Sequence, residues 1–246
     1  MNSEIAKCGK EVENLIDKER LRRKAAACGI NLMPEQLDQL EIYAALLLEW
    51  NQKVNLTAIT QPEEVEDKHF LDSLLFAALP QVQGRLADVG SGAGFPGVVA
   101  QIYKPSLALV ALEPTGKRVA FLQEVLRRLG LAGEVAKERA EEAARKGWRE
   151  GFDVCTARAV AALPVLCEYC LPLVKPGGWF IAMKGDAAQE IADAQAAIAA
   201  LGGTLRETRQ YTLPDGAARS LVLIEKTAAT PEKYPRPGGT IKKRPL

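Results

Sequence analysis

The fold of this 246-residue chain is decided by one stretch, Asp88-Val89-Gly90-Ser91-Gly92-Ala93-Gly94-Phe95-Pro96-Gly97. The stretch follows a segment of strand character, Arg85–Val89, and leads directly into a segment of helix character. Glycine lets the backbone turn tightly and approach a ligand without a Cβ clash. Gly92, Gly94 and Gly97 also satisfy the pattern G-x-G-x-x-G, in the strand–loop–helix context that gives this pattern its meaning. The stretch therefore predicts a site for a nucleoside cofactor.

Downstream of Gly84, segments of strand and helix character alternate. Strands are predicted at Arg85–Val89, Leu107–Glu113, Gly133–Lys137, Phe152–Ala157 and Trp179–Lys184, and helices at Val98–Tyr103, Lys117–Leu129, Glu141–Lys146, Leu163–Val174 and Ala187–Ala200. Such alternation predicts an α/β, doubly wound (Rossmann-like), mostly parallel sheet. Two more strands, near Thr204–Thr212 and Arg219–Lys226, are joined by Pro214-Asp215-Gly216 and predict a C-terminal antiparallel hairpin.

Upstream of the glycine stretch the sequence predicts helices. From Pro34 to Trp50 apolar residues recur every three or four positions, which is the spacing of one apolar stripe on a helix. A second helical segment runs from Pro62 to about Pro80. We therefore expect three parts: an N-terminal helical extension over residues 1–82, a cofactor-binding α/β domain over residues 83–228 and a basic C-terminal tail over residues 229–246.

Composition excludes several classes of protein. Apolar residues make up 48% and charged residues 26%, a balance typical of globular domains. The net charge of +1 argues against a histone-like polyanion binder, unless the charges are unevenly placed. No apolar run approaches the roughly 20 residues that a transmembrane helix needs, so no membrane partner is expected. The charged N-terminus has no apolar core of a signal peptide, which makes secretion an unfavoured interpretation.

The five cysteines do not form the pattern of a disulfide framework. We therefore expect a reducing, cytoplasmic location. Cys167 and Cys170 form a CxxC pair within a predicted helix, but no second pair or histidine cluster accompanies them, so a metal site is not expected. Buried packing is the favoured interpretation of this pair, and a redox role is the alternative.

The identity of the cofactor depends on residues around the glycine stretch. Glu113 ends the second strand, 23 residues after Gly90, where an acid accepts hydrogen bonds from ribose hydroxyls. Both NAD and S-adenosylmethionine use such an acid. Pro96 removes an N–H donor where a pyrophosphate would bind, and Asp88 attracts the cationic groups of S-adenosylmethionine. The chain has one His and no Tyr-x-x-x-Lys pair to donate a proton. Methyl transfer is favoured, and an NAD-dependent oxidoreductase is the alternative.

Several separate motifs, in order along the chain, resemble a known enzyme family. They are Asn55-Leu56-Thr57, His69-Phe70-Leu71-Asp72-Ser73, Asp88–Gly97, Gly116-Lys117-Arg118-Val119-Ala120-Phe121-Leu122, Thr156-Ala157-Arg158-Ala159, Leu173-Val174-Lys175-Pro176-Gly177-Gly178, Met183-Lys184-Gly185 and Tyr234-Pro235-Arg236-Pro237-Gly238. Together they resemble class I S-adenosylmethionine-dependent methyltransferases, and more closely the GidB (RsmG) family of 16S rRNA (guanine-N7) methyltransferases. The resemblance runs from about Leu47 to the C-terminus and implies that residues 83–228 bind S-adenosylmethionine.

The resemblance also implies a set of cofactor-binding residues. Gly90 and Phe95 line the pocket, Glu113 binds the ribose, and the residues after the third strand flank the adenine and accept from its amine. Arg158 meets either the cofactor carboxylate or an RNA phosphate through its planar fork. The complete set is Gly90, Gly92, Phe95, Glu113, Pro114, Thr115, Ala140, Glu141 and Arg158.

The end of the fourth predicted strand indicates which atom of a base would be methylated. The chain lacks the Asn/Asp-Pro-Pro-aromatic turn of enzymes that methylate exocyclic amines. Cys155 lacks the preceding proline of C5-methylating enzymes, so packing is its favoured role. Guanine N7 carries a free lone pair and no proton, so its methylation needs alignment and electrostatics without a general base. We therefore assign no catalytic residue.

Basic residues suggest where RNA would bind. Between Lys233 and Leu246 there are five basic residues and no acidic one, a local charge of +5 that leaves about −4 on the rest of the chain. The RNA-binding candidates are Lys117, Arg118, Lys184, Tyr234, Arg236, Lys242, Lys243 and Arg244. We expect a monomer that acts on 16S rRNA or the small ribosomal subunit; a non-catalytic RNA-binding assembly factor is the alternative. Deleting Lys233–Leu246 is expected to weaken RNA binding and to spare cofactor binding.

Overall fold

A computed structural model describes residues 15–246 and contains one seven-stranded sheet with the strand order β3-β2-β1-β4-β5-β7-β6. The strands are β1 (Arg85–Val89), β2 (Ala108–Leu112), β3 (Glu134–Ala136), β4 (Phe152–Arg158), β5 (Val174–Lys184), β6 (Gly203–Thr212) and β7 (Ala218–Lys226). The first five pair in parallel, and β7 pairs antiparallel with β5 and β6. The predicted doubly wound sheet with a C-terminal hairpin is confirmed.

Helices cover both faces of the sheet. They are α1 (Lys18–Ala27), α2 (Pro34–Asn51), α3 (Pro62–Glu64), α4 (Asp72–Ala77), α5 (Gly97–Tyr103), α6 (Gly116–Leu129), α7 (Ala140–Ala143), α8 (Leu163–Cys170), α9 (Ala188–Asp193), α10 (Gln195–Ala200) and α11 (Gly238–Lys243). A π-helical segment, Val65–Leu71, joins α3 to α4. Single π turns inside helices occur frequently at functional sites, and this one buries His69 and Phe70.

Several predicted boundaries differ from the structure, three of them for reasons that the chain makes plain. The helix predicted at Leu163–Val174 ends at Cys170 and gives way to a 3-10 turn that contains Pro172, because proline has no N–H for a helical hydrogen bond. The helix predicted at Ala187–Ala200 is divided into α9 and α10 at Ala194. Strand β5 begins at Val174, earlier than predicted, with an irregularity in its pairing to β4 that accommodates the extra residues.

Alternate residues of the central strands enter two apolar cores. On β1 and β4, Leu86 and Val154 pack on one face, while Ala87 and Cys155 pack on the other. The first core also contains apolar residues of α1 and α2, and the second contains Ile241 of α11. The predicted extension and tail therefore share the cores of the sheet. Residues 1–14 of the predicted extension lie outside the described residues, and the boundaries at 82 and 228 stay predictions.

The described cysteines are free thiols, and three of them are buried. Cys167 and Cys170 lie on α8, where burial raises the pKa of both thiols. A thiol with a raised pKa is a poor nucleophile, which favours the packing interpretation of this pair. Cys155 is also fully buried, on β4. None of the helices within residues 15–246 is both long and apolar enough to cross a bilayer.

Candidate functional site

The glycine stretch forms the loop between β1 and α5 and requires glycine at two close approaches. Gly90 has φ +66°, in the left-handed region that favours glycine, and a Cβ there would lie 2.7 Å from Cγ2 of Val160. Gly94 has φ +92°, and a Cβ there would overlap the hydroxyl of Tyr43 on α2. The Tyr43 hydroxyl donates to the carbonyl of Ala93. The predicted loop is thus supported from the N-terminal helices as well as from the sheet.

Asp88 braces this loop from beneath. One carboxylate oxygen, Oδ2, accepts hydrogen bonds from Oγ of Ser91 at 2.7 Å and from the N–H of Gly97 at 3.1 Å. Burial raises the pKa of Asp88 to about 6, although these two hydrogen bonds oppose the shift. The fully buried carboxylate holds the loop in place, and its attraction for a cofactor cation stays a prediction.

Glu113 ties the glycine loop to the helix that follows β2. Its Oε2 accepts from the N–H of Gly92 at 3.0 Å, and its Oε1 accepts from the N–H of Thr115, the residue before α6, at 2.8 Å. The side chain is only 2% exposed at the carboxyl end of β2, the position expected of a ribose-binding acid. A carboxylate oxygen has two lone pairs, so each oxygen retains capacity for a ribose hydroxyl.

A cavity of about 120 Å³ lies beside the glycine loop, at the carboxyl ends of β1, β2 and β3. We call it the first cavity. Its lining includes four predicted cofactor-binding residues, Gly90, Pro114, Ala140 and Glu141, together with Val89, Leu112, Glu138, Arg139, Val160, Ala161, Tyr169 and Lys242. The lining residues that follow β4 and those on α8 and α11 could not be predicted, because only the tertiary fold brings them beside the loop.

The Glu141 carboxylate is the most informative group in the first cavity. Glu141 lies in α7 directly after β3, and it is 6% exposed. It has no hydrogen-bond donor among residues 15–246, although buried polar groups are usually paired. An unpaired acceptor in a cavity wall fits the predicted contact with an exocyclic amine.

The structure does not bring Phe95 to the first cavity. Its ring stacks on the His69 imidazole at a centroid distance of 4.3 Å and on the Tyr43 ring at 5.1 Å. Phe95 belongs to the apolar core and does not line the first cavity, and its predicted cofactor contact stays a prediction. The aromatic character of Phe95 could not by itself distinguish the two roles.

A second cavity, of about 370 Å³, lies on the other side of the end of β4. Its lining is rich in charge and comprises Ile59, Lys68, His69, Asp72, Arg158, Ala159, Met183, Lys184, Gly185, Glu190 and Arg219. Arg158 lines the second cavity and Val160 lines the first, so the two cavities flank the same turn. Ala159 in this turn has φ +55°, a conformation that costs a non-glycine residue energy and that clusters at functional sites.

Arg158 is held by residues of the N-terminal helical segment. Its Nη1 donates to the carbonyl of Lys68 at 2.7 Å and to Oδ2 of Asp72 at 3.1 Å, and its Nη2 contacts Nδ1 of His69 at 3.0 Å. Asp72 also accepts from the Tyr211 hydroxyl at 2.7 Å. Nε and one Nη2 hydrogen of Arg158 have no partner among the described residues, so they can contact a ligand in the second cavity.

His69 is neutral in this network. Because Arg158 can only donate, Nδ1 of His69 must accept, and Nε2 then donates to Oγ1 of Thr57 at 2.9 Å. Burial, and secondarily the charge of Arg158, lower the pKa of His69 to about 3. His69 therefore has two roles: its ring packs on Phe95, and its Nδ1 orients the Arg158 guanidinium.

The predicted RNA-binding residues have different surroundings. Lys117 is exposed and Arg118 half-buried at the start of α6. Nζ of Lys184 donates to the carbonyl of Ala161 at 3.0 Å and pairs with Glu190 at 2.7 Å, within the second cavity. In the tail, Lys242, Lys243 and Arg244 are exposed, whereas Tyr234 packs against the second core and Arg236 pairs with buried Glu168. The tail is therefore not a free basic extension, and Lys242 reaches the first cavity.

A Rossmann-like sheet, a glycine loop after β1 and an acid at the end of β2 define the class of nucleoside-cofactor-binding folds. The structure of the ribosomal protein L11 methylase from Lactobacillus delbrueckii subsp. bulgaricus shares this fold, with a TM-score of 0.51 and 17% identity over 65% of this chain and 79% of that chain. Among residues 15–246, no group of three His, Cys, Asp or Glu side chains is placed to hold a metal ion.

The particular family follows from sequence comparison. The family model GidB, described as rRNA small subunit methyltransferase G, matches residues 36–219. Relatives named ribosomal RNA small subunit methyltransferase G are 49% identical in Geobacillus kaustophilus and 48% identical in Alkaliphilus metalliredigens, each over 89% of this chain and 94% of the relative. This chain belongs to the GidB family, and the resemblance of its motifs to that family is confirmed.

Proposed function

We propose that this protein transfers the methyl group of S-adenosylmethionine to N7 of a guanosine in 16S rRNA of the small ribosomal subunit. The observation that carries the proposal is the pair of cavities that flank the turn after β4, one beside the glycine loop and one lined by cationic side chains. Membership of the GidB family supports ribosomal RNA as the substrate. We further propose that the protein acts as a monomer in the cytoplasm.

The first cavity, at about 120 Å³, is large enough for the adenine end of the cofactor, and the glycine loop and Glu113 lie beside it for the rest of the nucleoside. Gly90 permits close approach of the backbone, Glu113 offers carboxylate oxygens to ribose hydroxyls, and Glu141 offers an unpaired acceptor to the adenine amine. Pro114 and Thr115 directly follow Glu113 and complete the side of the site that faces the ribose. S-adenosylmethionine, when bound, supplies an electrophilic methyl group on a sulfonium centre.

The second cavity fits a guanine base and its phosphate. Guanine presents N7 and O6 as acceptors on one edge, and N7 must remain free to attack the methyl group. The free N–H groups of Arg158 and the Lys184 ammonium can bind O6 or a phosphate, while Met183 and Ile59 provide apolar surface for the ring. Since the pKa of His69 is about 3, His69 is a neutral imidazole at neutral pH; its one N–H is donated to Thr57, and it supplies no general acid.

The RNA backbone would contact exposed basic residues at the edges of these cavities. Lys117 and Arg118 begin α6 directly beyond the ribose-binding acid, and Lys242, Lys243 and Arg244 lie on and after the last helix. Lys and Arg side chains that neutralise phosphates supply sequence-independent affinity that decreases with salt. Tyr234 and Arg236, which are engaged with the body of the protein, are assigned to holding the tail in place.

Transfer of tritium-labelled methyl groups from S-adenosylmethionine to small-subunit RNA tests the reaction, followed by mapping of N7-methylguanosine. We expect the wild type to methylate one guanosine, and we expect no methylation of that guanosine by the Arg158→Ala variant. Incorporation at another atom would refute the N7 assignment. Binding of the cofactor without incorporation into naked RNA or 30S particles would favour the assembly factor, and binding of NAD but not of S-adenosylmethionine would favour the oxidoreductase.

A further inference from the structure

The C-terminal tail, residues 229–246, is bound to the body of the protein through backbone carbonyls. Nη1 of Arg149 donates to the carbonyl of Tyr234 at 2.7 Å, and Nη2 of Arg145 donates to the carbonyl of Pro235 at 2.6 Å. Both arginines follow α7, the short helix that carries Glu141. These contacts therefore place the tail against the helix that forms the adenine end of the first cavity.

A buried ion pair and an apolar anchor continue this attachment. The guanidinium of Arg236 donates through Nη2 to Oε2 of Glu168 at 2.6 Å and through Nε to Oε1 at 2.9 Å, and Glu168 is fully buried on α8. Ile241, in α11, is fully buried in the second core. These two contacts fix the tail to the body of the protein at Arg236 and at Ile241.

Between these two anchors the tail contacts the predicted adenine acceptor. A Cβ at Gly238 would overlap Oε1 of Glu141, so the backbone of Gly238 lies directly against that carboxylate. The Glu141 carboxylate has no hydrogen-bond donor among the described residues, and its position is therefore set by packing. One turn further on, Lys242 lines the same cavity. The neighbouring Gly239 has open space around its Cβ position.

We propose that the tail is a wall of the cofactor site, in which Gly238 positions the Glu141 carboxylate for the adenine amine and Lys242 covers the adenine end. This inference rests on the proposed binding of S-adenosylmethionine in the first cavity. It replaces the expectation that removing Lys233–Leu246 spares cofactor binding. Gly238 is a positioning residue because it acts on the cofactor through Glu141.

The test compares Gly238→Ala with Gly239→Ala in the full-length chain. Both substitutions exchange glycine for alanine at the start of α11, but only the first displaces Glu141. We expect Gly238→Ala to weaken binding of S-adenosylmethionine and S-adenosylhomocysteine about tenfold in calorimetry, the value of one hydrogen bond to a charged group. The KM for S-adenosylmethionine should rise with kcat little changed, and Gly239→Ala should match the wild type.

Two further measurements identify the route of the effect. In a Glu141→Ala background, Gly238→Ala should cause no additional loss, because the carboxylate on which it acts is absent. Lys242→Met should weaken cofactor binding in the absence of RNA, whereas Lys243→Met should not. If Gly238→Ala fails to fold, these two variants test the contact of the tail with the cofactor in its place. Thermal unfolding of each variant reports whether it is folded.

The outcomes separate this inference from the proposed function. If the wild-type protein does not bind S-adenosylmethionine, both are overturned. If the wild type binds and both Gly238→Ala and Lys242→Met bind equally well, the tail is not a wall of the site, and the proposed function stands. An equal loss for Gly238→Ala in the Glu141→Ala background would overturn the positioning role of Gly238.

Discussion

The chain contains one histidine, so the ionisation of His69 is directly observable. Burial and the neighbouring Arg158 charge lower the pKa of His69 from 6.5 to about 3. This difference of about 3.5 pKa units means that protonating the imidazole costs about 5 kcal/mol more in the folded protein than in the unfolded chain. We expect the Cε1 proton resonance of His69 to keep a constant chemical shift between pH 8 and pH 5 in the folded protein.

The same depressed pKa links His69 to stability. The folded-state pKa lies below the unfolded value, so the contribution of His69 is present above pH 6.5 and is lost as the pH falls towards 3. Between pH 8 and pH 5 this loss amounts to about 2 kcal/mol of the unfolding free energy, because only the unfolded state takes up the proton. Urea unfolding of the wild type and of His69→Gln at several pH values isolates this contribution as a difference.

The Arg158→Gln substitution tests how much the Arg158 charge contributes to the low pKa of His69. Removing the guanidinium charge should raise the pKa of His69, while burial, the larger cause, should keep it below 6.5. The tautomer is also testable, since nitrogen shifts of labelled His69 should show the proton on Nε2. A wild-type titration midpoint above pH 5, or a proton on Nδ1, would refute the account of how His69 orients Arg158.

Three further predictions concern other parts of the molecule. Burial raises the folded-state pKa of Asp88 from 3.8 to about 6, so the wild type should lose about 3 kcal/mol of unfolding free energy as the pH rises through that range. Asp88→Asn should abolish this pH-dependent loss, as urea unfolding can measure. Arg236→Ala should destabilise the protein by about 3 kcal/mol in the same assay because it leaves the Glu168 carboxylate buried and unpaired; a change below about 1 kcal/mol would contradict this. Replacing Lys117 and Arg118 together by Ala should weaken RNA binding and reduce the slope of log affinity against log salt concentration by about 1 to 2. Calorimetry should find an unchanged affinity for S-adenosylmethionine.

The fold and one side of the site could be predicted because their signals are local. The glycine stretch, the strand before it and the acid at the end of the next strand lie within about one βαβ unit, whose geometry is set by the backbone. Alternation of strands and helices then determines the parallel sheet. Gly90 and Glu113 accordingly stand where the sequence predicts them, at the carboxyl ends of adjacent strands.

Aromatic and charged residues were less predictable because their roles depend on neighbours that are distant in the chain. Phe95 adjoins the glycine loop in sequence, but Tyr43 and His69 enclose its ring in the core. Tyr234 and Arg236 count as basic-tail residues in the sequence, but the body of the protein engages both. The positive net charge of a segment does not reveal which of its charged side chains pair with an opposite charge elsewhere in the fold.

The sequence by itself determined the class of fold, the family and the location of the cofactor loop, since each is carried by short motifs whose residues are neighbours in the chain. Only the tertiary structure decided the contacts that complete the two cavities. Arg158 meets Asp72 across 86 positions, and the Asp72 carboxylate meets Tyr211 across 139. Gly238 reaches Glu141 because arginines after α7 hold the tail. Such pairings arise from the packing of whole elements, which no local pattern of residues encodes.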